Sequence, residues 1–192
     1  MWPWDHAAVA YLLVSALYRL GWDRVPSRRV GIVAVVAGVL PDLIDKPLSW
    51  GLGVLPTGRS LGHSLLVAVP SLALLLALGV VFGYRRGTVA FGVAYLSHLA
   101  GDVAYPLFVD GDLRAGFLLW PLISAPSSDA GAGVSHVAEL VADFLVVLAS
   151  PGGLLYLGVD ALLLGTAAAV WWLDWRAGAE RLADGAGLAS DE

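Results

Sequence analysis

The feature that most constrains this chain is a series of apolar segments long enough to cross a membrane. Residues 63–84 are almost wholly apolar, and similar stretches lie on either side of them. About 20 apolar residues in a helix cross a hydrocarbon core of about 30 Å, and a helix satisfies its own backbone polar groups there. The sequence therefore predicts an all-α protein, a polytopic bundle of transmembrane helices.

Composition favours the same class and limits the chemistry. Of 192 residues, 58% are hydrophobic and 14% are charged, against roughly 25% charged residues in soluble domains. There is no cysteine, so a metal must be bound by His, Asp, Glu or backbone oxygen. The net charge is −5 and Lys46 is the single lysine, a pattern without the basic stripe that binds nucleic acid.

The apolar pattern predicts five to six helices with one kinked or re-entrant element. The predicted helices cover residues 7–20, 30–40, 63–84, 88–108, 134–148 and 154–175. Pro41 is expected to kink or restart the second helix, and the apolar patch 116–123 is too short to span the membrane and is expected at its interface. Residues 1–178 form one transmembrane domain, and residues 179–192 form a polar acidic tail that is predicted to be disordered.

Two short loops carry most of the arginines, at residues 19–29 and 85–86. Such loops stay in the cytoplasm, so we expect a multi-pass plasma-membrane protein with its amino terminus outside. Several polar residues then lie near the outer ends of their helices. They are His6, Asp42, Asp45, Arg59, His63 and His136.

His98 and Asp102 are four residues apart within one predicted helix. Their side chains leave the same helical face about one turn apart and can bind one metal ion. An Asp near the centre of a span costs roughly 2.5–3.5 kcal/mol on insertion scales and usually has a partner or a function. We interpret Asp102 as functional, with an interhelical hydrogen bond as the structural alternative.

Asp42 and Asp45 are three residues apart and share a helical face if Pro41 opens a fresh turn. Carboxylates this close repel unless a cation lies between them or one is protonated; helix capping at the membrane boundary is the alternative. His6 and His63 are each unremarkable alone. Because four helices bring His or Asp to one membrane face, a common site is favoured over chance.

This pattern resembles the membrane-bound metal-dependent hydrolase family typified by the LexA-binding inner-membrane protein. The matching elements are His6, GVLPDLID at 38–45, RSLGHS at 59–64 and SHLAGD at 97–102. They are specific as an ordered set and weak singly. The resemblance implies a multi-span membrane protein with a metal site and hydrolytic activity, and it supplies no substrate.

The candidate metal ligands are His6, Asp42, Asp45, His63, His98 and Asp102. Mixed imidazole and carboxylate ligands suit zinc, the first choice, or manganese or iron. A catalytic zinc takes three protein ligands, so six candidates leave room for a second metal or a general base, and we assign catalytic roles to Asp45, Asp102 and Arg59. Metal-bound water is the expected nucleophile. Arg59 either clamps a phosphate or carboxylate or snorkels to the interface.

A site at the bilayer edge is reached most easily by an amphiphile, so the hypothesis is hydrolysis of an ester or phosphoester that is lipid-linked. Two other classes stay open. The same cluster suits a small transporter or a proton- or cation-conducting protein, and it suits a non-catalytic scaffold with a structural metal. Asp143 and Asp160 discriminate, because a wet path through them to the other face would indicate transport. His136 is interpreted as structural.

Overall fold

The computed structural model describes residues 1–123 and 133–188. Within these ranges the protein has six α-helices and no strand, so the all-α prediction is confirmed. The helices are α1 (Pro3–Trp22), α2 (Arg28–Lys46), α3 (Leu65–Val81), α4 (Arg85–Asp110), α5 (Gly133–Leu148) and α6 (Pro151–Leu188). A π-helical turn, Pro47–Gly51, continues α2, and a 3₁₀ turn, Gly116–Leu119, follows α4.

The centre of the bundle is formed by α1, α2 and α4, which pack directly against one another. The buried side chains between them are small, including Ala10, Ala34, Ala37 and Ala94. Small residues let helix backbones approach closely, as is typical of helices that pack in membranes. α3 packs on α4, and α6 packs on α1.

Polar side chains lie inside the bundle and apolar side chains outside it, the reverse of the arrangement in soluble proteins. Charged and imidazole side chains such as Asp45, His63 and His98 are fully buried, whereas Leu13, Ile32 and many other large apolar side chains face outwards. Soluble proteins rarely bury such groups or expose contiguous apolar patches. The bundle therefore suits an apolar surrounding medium.

By length and composition, one helix in the described part of the chain qualifies as a membrane span, Gly152–Gly178 within α6. Leu65–Val81 is apolar but shorter. Each of the other central helices carries charged residues of the cluster or of the basic loops, which lower its mean hydropathy. Helix length and composition therefore identify one span. The apolar side chains that face outwards support further spans, which are part of the proposal below.

Three segments bear on the sequence-based expectation. Pro41 lies inside α2, which continues to Lys46, so Pro41 does not restart the helix. Asp42 and Asp45 consequently lie at the end of α2 rather than at the start of a new helix. The 116–123 patch contains the short Gly116–Leu119 turn, and α6 continues to Leu188, into the predicted tail, of which residues 189–192 lie outside the described ranges.

The bundle has two chemically different ends. One end brings together the start of α1, the end of α2, the loop before α3 and the second half of α4, which carry the predicted His and Asp residues. At the other end, the Arg86 guanidinium lies 5.9 Å from the centroid of the Trp22 ring, so the two arginine loops lie side by side.

Candidate metal centre

The structure brings five of the predicted ligands into one buried group, here called the His/Asp cluster: His6, Asp42, His63, His98 and Asp102. None of them is more than 7% exposed. They come from α1, α2, the loop before α3 and α4. The cluster therefore exists only when these four segments are packed together.

Four of these residues point one atom each at a common centre. His63 Nε2 lies 3.1 Å from His98 Nε2, 3.6 Å from Asp42 Oδ1 and 3.4 Å from Asp102 Oδ2. His98 Nε2 lies 3.7 Å from the same Asp42 atom and 3.9 Å from the same Asp102 atom. Ligands held about 2.0–2.1 Å from a tetrahedral zinc are roughly 3.3 Å apart, so these separations fit a shared ion.

His98 is common to both sets of atoms that lie close enough together to bind one metal ion. One set is His6, His98 and Asp102, and the other is Asp42, His63 and His98. His98 Nδ1 lies 2.7 Å from the Gly38 carbonyl oxygen, which fixes the proton on Nδ1 and leaves Nε2 as the ligand atom. The His6 ring stacks on His98 with centroids 3.8 Å apart.

Asp45 lies behind the cluster and outside both sets. Its carboxylate accepts hydrogen bonds from the backbone nitrogens of Ser60, Gly62 and His63, at 2.7, 2.8 and 3.2 Å. It also bonds His63 Nδ1 at 2.8 Å, which directs His63 Nε2 into the cluster. Through these hydrogen bonds, the Asp45 carboxylate positions the loop before α3 and the His63 imidazole.

Gly62 permits the loop before α3 to pass against α2. A Cβ at this position would lie 2.9 Å from the Pro41 carbonyl oxygen and 3.1 Å from Pro41 Cα. The Tyr95 hydroxyl donates to the Gly62 carbonyl at 2.5 Å and so ties the same loop to α4. This explains why the motif around His63 contains a glycine directly before the imidazole.

Asp42 and Asp45 lie in the last turn of α2, where the helix dipole disfavours negative charge. Their predicted alternative role as helix N-terminal caps is therefore wrong. Two buried carboxylates at a helix carboxyl end need compensation. Asp45 receives it from backbone donors, whereas Asp42 has Lys46 at 2.5 Å and the imidazoles of the cluster.

Two cations flank the cluster on its open side. Arg59 binds Asp102 through two bonds, Nε to Oδ2 at 2.8 Å and Nη2 to Oδ1 at 3.2 Å, and its side chain is 41% exposed. Lys46 on α2 donates one hydrogen bond to Asp42. Both cations also line a cavity of about 910 Å³. Arg59 therefore lies between Asp102 and this cavity.

His63 is the cluster imidazole that lies outside the helices. Burial lowers its pKa, but hydrogen bonds with Asp102 and Asp45 raise it by more, so the pKa lies above its ordinary value. A metal ligand must be deprotonated, so the raised pKa makes metal binding at His63 weaker as the pH falls.

The remaining predicted polar residues lie at the edge of the site or away from it. His136 lines the cavity, with its ring 5.0 Å from the Trp50 ring. Asp143 is exposed on α5. Asp160 approaches Asp5, whose carboxylate also accepts a 3.4 Å hydrogen bond from the Tyr156 hydroxyl.

Sequence reasoning missed a second buried polar group, here called the Asp174 cluster: Tyr11, Ser15, Arg19 and Asp174. The Asp174 carboxylate accepts hydrogen bonds from the Tyr11 and Ser15 hydroxyls, at 2.6 and 2.7 Å, and pairs with Arg19. The sequence signal was Asp174 itself, because a carboxylate within a Trp-rich apolar segment needs polar partners.

An all-helical chain with apolar side chains outside and a His/Asp cluster within defines a helical membrane protein that carries a candidate metal centre. The model of the family described as YdjM inner membrane protein matches residues 1–177. The chain belongs to this family, which places it in the membrane. No curated protein and no solved structure matches the chain.

Proposed function

We propose that this protein is a multi-pass inner-membrane hydrolase that uses a divalent metal to cleave an ester or phosphoester. The observation that carries the proposal is the set of four buried donor atoms, from His63, His98, Asp42 and Asp102, with the five measured separations between 3.1 and 3.9 Å. Two carboxylates and two imidazole nitrogens this close form a donor set that a divalent cation would fit, in addition to the positive charges of Lys46 and Arg59 beside them.

The ligand chemistry favours zinc, with manganese or iron as alternatives. Asp42, His63, His98 and Asp102 would hold the ion, and His6 would join through the Asp102 carboxylate, to which its Nε2 lies at 3.3 Å. When bound, such a metal supplies a water of lowered pKa as nucleophile and polarises the substrate oxygen. Asp45 acts here as a positioning residue.

Arg59 has two roles in this proposal. Its planar guanidinium reaches Asp102 from one side and the cavity from the other. A guanidinium at this position can bind an anionic substrate oxygen through two parallel hydrogen bonds. Asp102 therefore links the ligand set to the substrate-binding side of the site.

Transport through the bundle is less well supported than catalysis. The His/Asp cluster and the Asp174 cluster lie at different levels of α1, and between them the buried Ala8 on α1 and Ala167 on α6 line a small cavity of about 280 Å³ with mostly apolar walls. Apolar walls of this kind offer no ligands to a cation. Lys46 and Arg59, which pair with the cluster carboxylates, also line the cavity, and this connection between cluster and cavity supports an enzyme over a scaffold, whose structural metal site would be closed.

Metal content tests the proposal directly. The detergent-purified protein should contain stoichiometric zinc or manganese by elemental analysis, and the His98→Ala and Asp102→Ala variants should lose it while keeping wild-type helical content. Asp174→Asn is the matched control, since it removes a buried carboxylate from outside the site. Metal-loaded protein should then hydrolyse p-nitrophenyl esters or phosphoesters. A well-folded wild type that binds no metal after reconstitution would refute the mechanism.

Membrane orientation has its own test, aided by the absence of cysteine. Leu52 lies at the site end and Tyr84 at the arginine end, and they are 71% and 72% exposed. Single cysteines at these positions should differ in intact cells, with Leu52→Cys labelled by an impermeant reagent and Tyr84→Cys protected. The reverse pattern would place the site towards the cytoplasm.

A further inference from the structure

The cavity beside the His/Asp cluster combines one apolar wall with three basic side chains. The basic residues are Lys46, Arg59 and Arg114. The apolar wall is formed by Trp2, Trp50, Phe117, Ile123, Val137 and Leu140. Cavities of 300–1,000 Å³ bind small molecules, and this cavity of about 910 Å³ lies at the upper end of that range. Its lining matches a molecule with an anionic head and an apolar chain.

From this lining we infer that the cavity binds a lipid with a phosphate head, which Lys46, Arg59 and Arg114 hold beside the His/Asp cluster. This inference rests on the proposed function, because the lipid is a substrate only if the protein is a hydrolase. A phosphate monoester carries a charge of about −1.5 to −2 and three acceptor oxygens. These match three cations better than a carboxylate or a neutral ester does.

The partners of two of these cations explain how a head group could be accepted. Lys46 is paired with Asp42, and Arg59 is paired with Asp102. The same two carboxylates belong to the sets that can bind a metal ion. A divalent ion held there would neutralise both carboxylates, and the Lys46 and Arg59 side chains, 29% and 41% exposed, would then have donors for an anion in the cavity.

An aromatic side chain beside Arg59 indicates where the apolar chain of the lipid would begin. The Arg59 guanidinium lies 5.6 Å from the centroid of the Phe117 ring, and the same ring meets His63 edge-on with centroids 5.9 Å apart. A head group at Arg59 therefore has Phe117 directly beside it. Trp2 and Leu140 line the same cavity, so an apolar chain extending from that head would contact them.

Binding of simple amphiphiles tests the inference without any turnover. Dodecyl phosphate, inorganic phosphate and dodecyltrimethylammonium would each be titrated calorimetrically into metal-loaded protein in a neutral detergent. We expect dodecyl phosphate to bind at least roughly tenfold more tightly than either of the other two, because only it satisfies the cations and the apolar wall together. Equal binding of the phosphate and ammonium amphiphiles would overturn the inference.

Charge-removing variants locate the head group. Lys46→Gln should weaken dodecyl phosphate binding roughly tenfold, and Arg114→Gln roughly threefold because Arg114 is more exposed and pairs with Asp112. Lys46→Arg should restore binding, which separates lost charge from misfolding. Arg29→Gln, an exposed arginine at the opposite end of the bundle, is the matched control and should leave the affinity unchanged. An equal loss in the control would overturn the assignment.

The two proposals fail in different ways. Selective binding of dodecyl phosphate by a protein that takes up no metal would refute the hydrolase and leave a phosphate-lipid binding site. Stoichiometric metal and hydrolysis of a neutral ester, with no preference for dodecyl phosphate, would refute the lipid inference and leave the hydrolase. Tight binding of inorganic phosphate equal to that of dodecyl phosphate would show that the apolar wall does not contribute.

Discussion

Two buried polar groups lie along α1 and are satisfied in opposite ways. In the Asp174 cluster, one carboxylate receives two hydroxyl donors and an arginine, so protein groups balance its charge. In the His/Asp cluster, two carboxylates and three imidazoles crowd together, and some neighbouring atoms are both potential acceptors. The first is complete as folded, whereas in the second the proposed metal would neutralise carboxylates that pair with Lys46 and Arg59 in this structure.

This difference suggests a criterion for distinguishing structural from functional polar groups in an apolar bundle. A buried ion pair with its hydrogen bonds made holds helices in one arrangement, and here it fixes α6 to α1. The carboxylates of the His/Asp cluster instead pair with imidazoles and with two basic side chains that line a cavity, an arrangement that the proposed metal would complete. The following predictions test whether the two groups behave as differently as their contacts indicate.

The largest expected effect is metal removal. If metal is present at about 1,000 times its dissociation constant, it adds about 4 kcal/mol to the free energy of unfolding. For a chain of this size, chelation should lower Tm by about 8–16 °C. The shift should vanish in His98→Ala and persist in Asp174→Ala. A chelator shift of full size in His98→Ala would contradict the assignment of this residue to the site.

Next is loss of the Asp174 carboxylate. Asp174→Ala leaves the buried Tyr11 and Ser15 hydroxyls without their acceptor, which should cost about 3 kcal/mol and lower Tm by about 6–12 °C. Metal stoichiometry should stay at the wild-type value. Thermal unfolding and elemental analysis of one preparation check both statements. Loss of metal in this variant would show that the two clusters are coupled.

A smaller effect is expected from the residue that positions the His63 loop. Asp45→Asn keeps the size of the side chain but weakens its bonds to backbone nitrogens and to the His63 imidazole. Metal affinity should fall about tenfold to a hundredfold, as for other groups that orient a ligand, while full occupancy returns at high metal concentration. Competition with a chromogenic chelator measures this. Complete loss of binding would instead make Asp45 a ligand.

The smallest effect concerns the Tyr95 hydroxyl, which ties the Gly62 carbonyl to α4. Tyr95→Phe should lower the free energy of unfolding by about 1 kcal/mol, or Tm by about 2–4 °C. Tyr84→Phe is the control, since that side chain is 72% exposed. A Tm for Tyr95→Phe that matches the control would mean that this hydrogen bond does not stabilise the loop.

Helical class and the motif residues could be predicted from sequence because both depend on local patterns. Long apolar runs require helices, and the spacing of His98 and Asp102 places them on one face whatever surrounds them. The end of α2 could not be predicted in the same way. Proline normally interrupts a helix, yet α2 continues through Pro41 while it packs against α1 and α4.

The sequence by itself determined that the chain is helical and that its His and Asp residues collect towards one end. Tertiary structure alone decided which of them share a centre, because the separations between His63, His98, Asp42 and Asp102 depend on how four segments pack. It also decided that Asp45 faces backbone donors and that Asp174 meets Arg19, 155 residues away in sequence. Such contacts cannot be read from local periodicity, since periodicity fixes the face of a helix and not its neighbour.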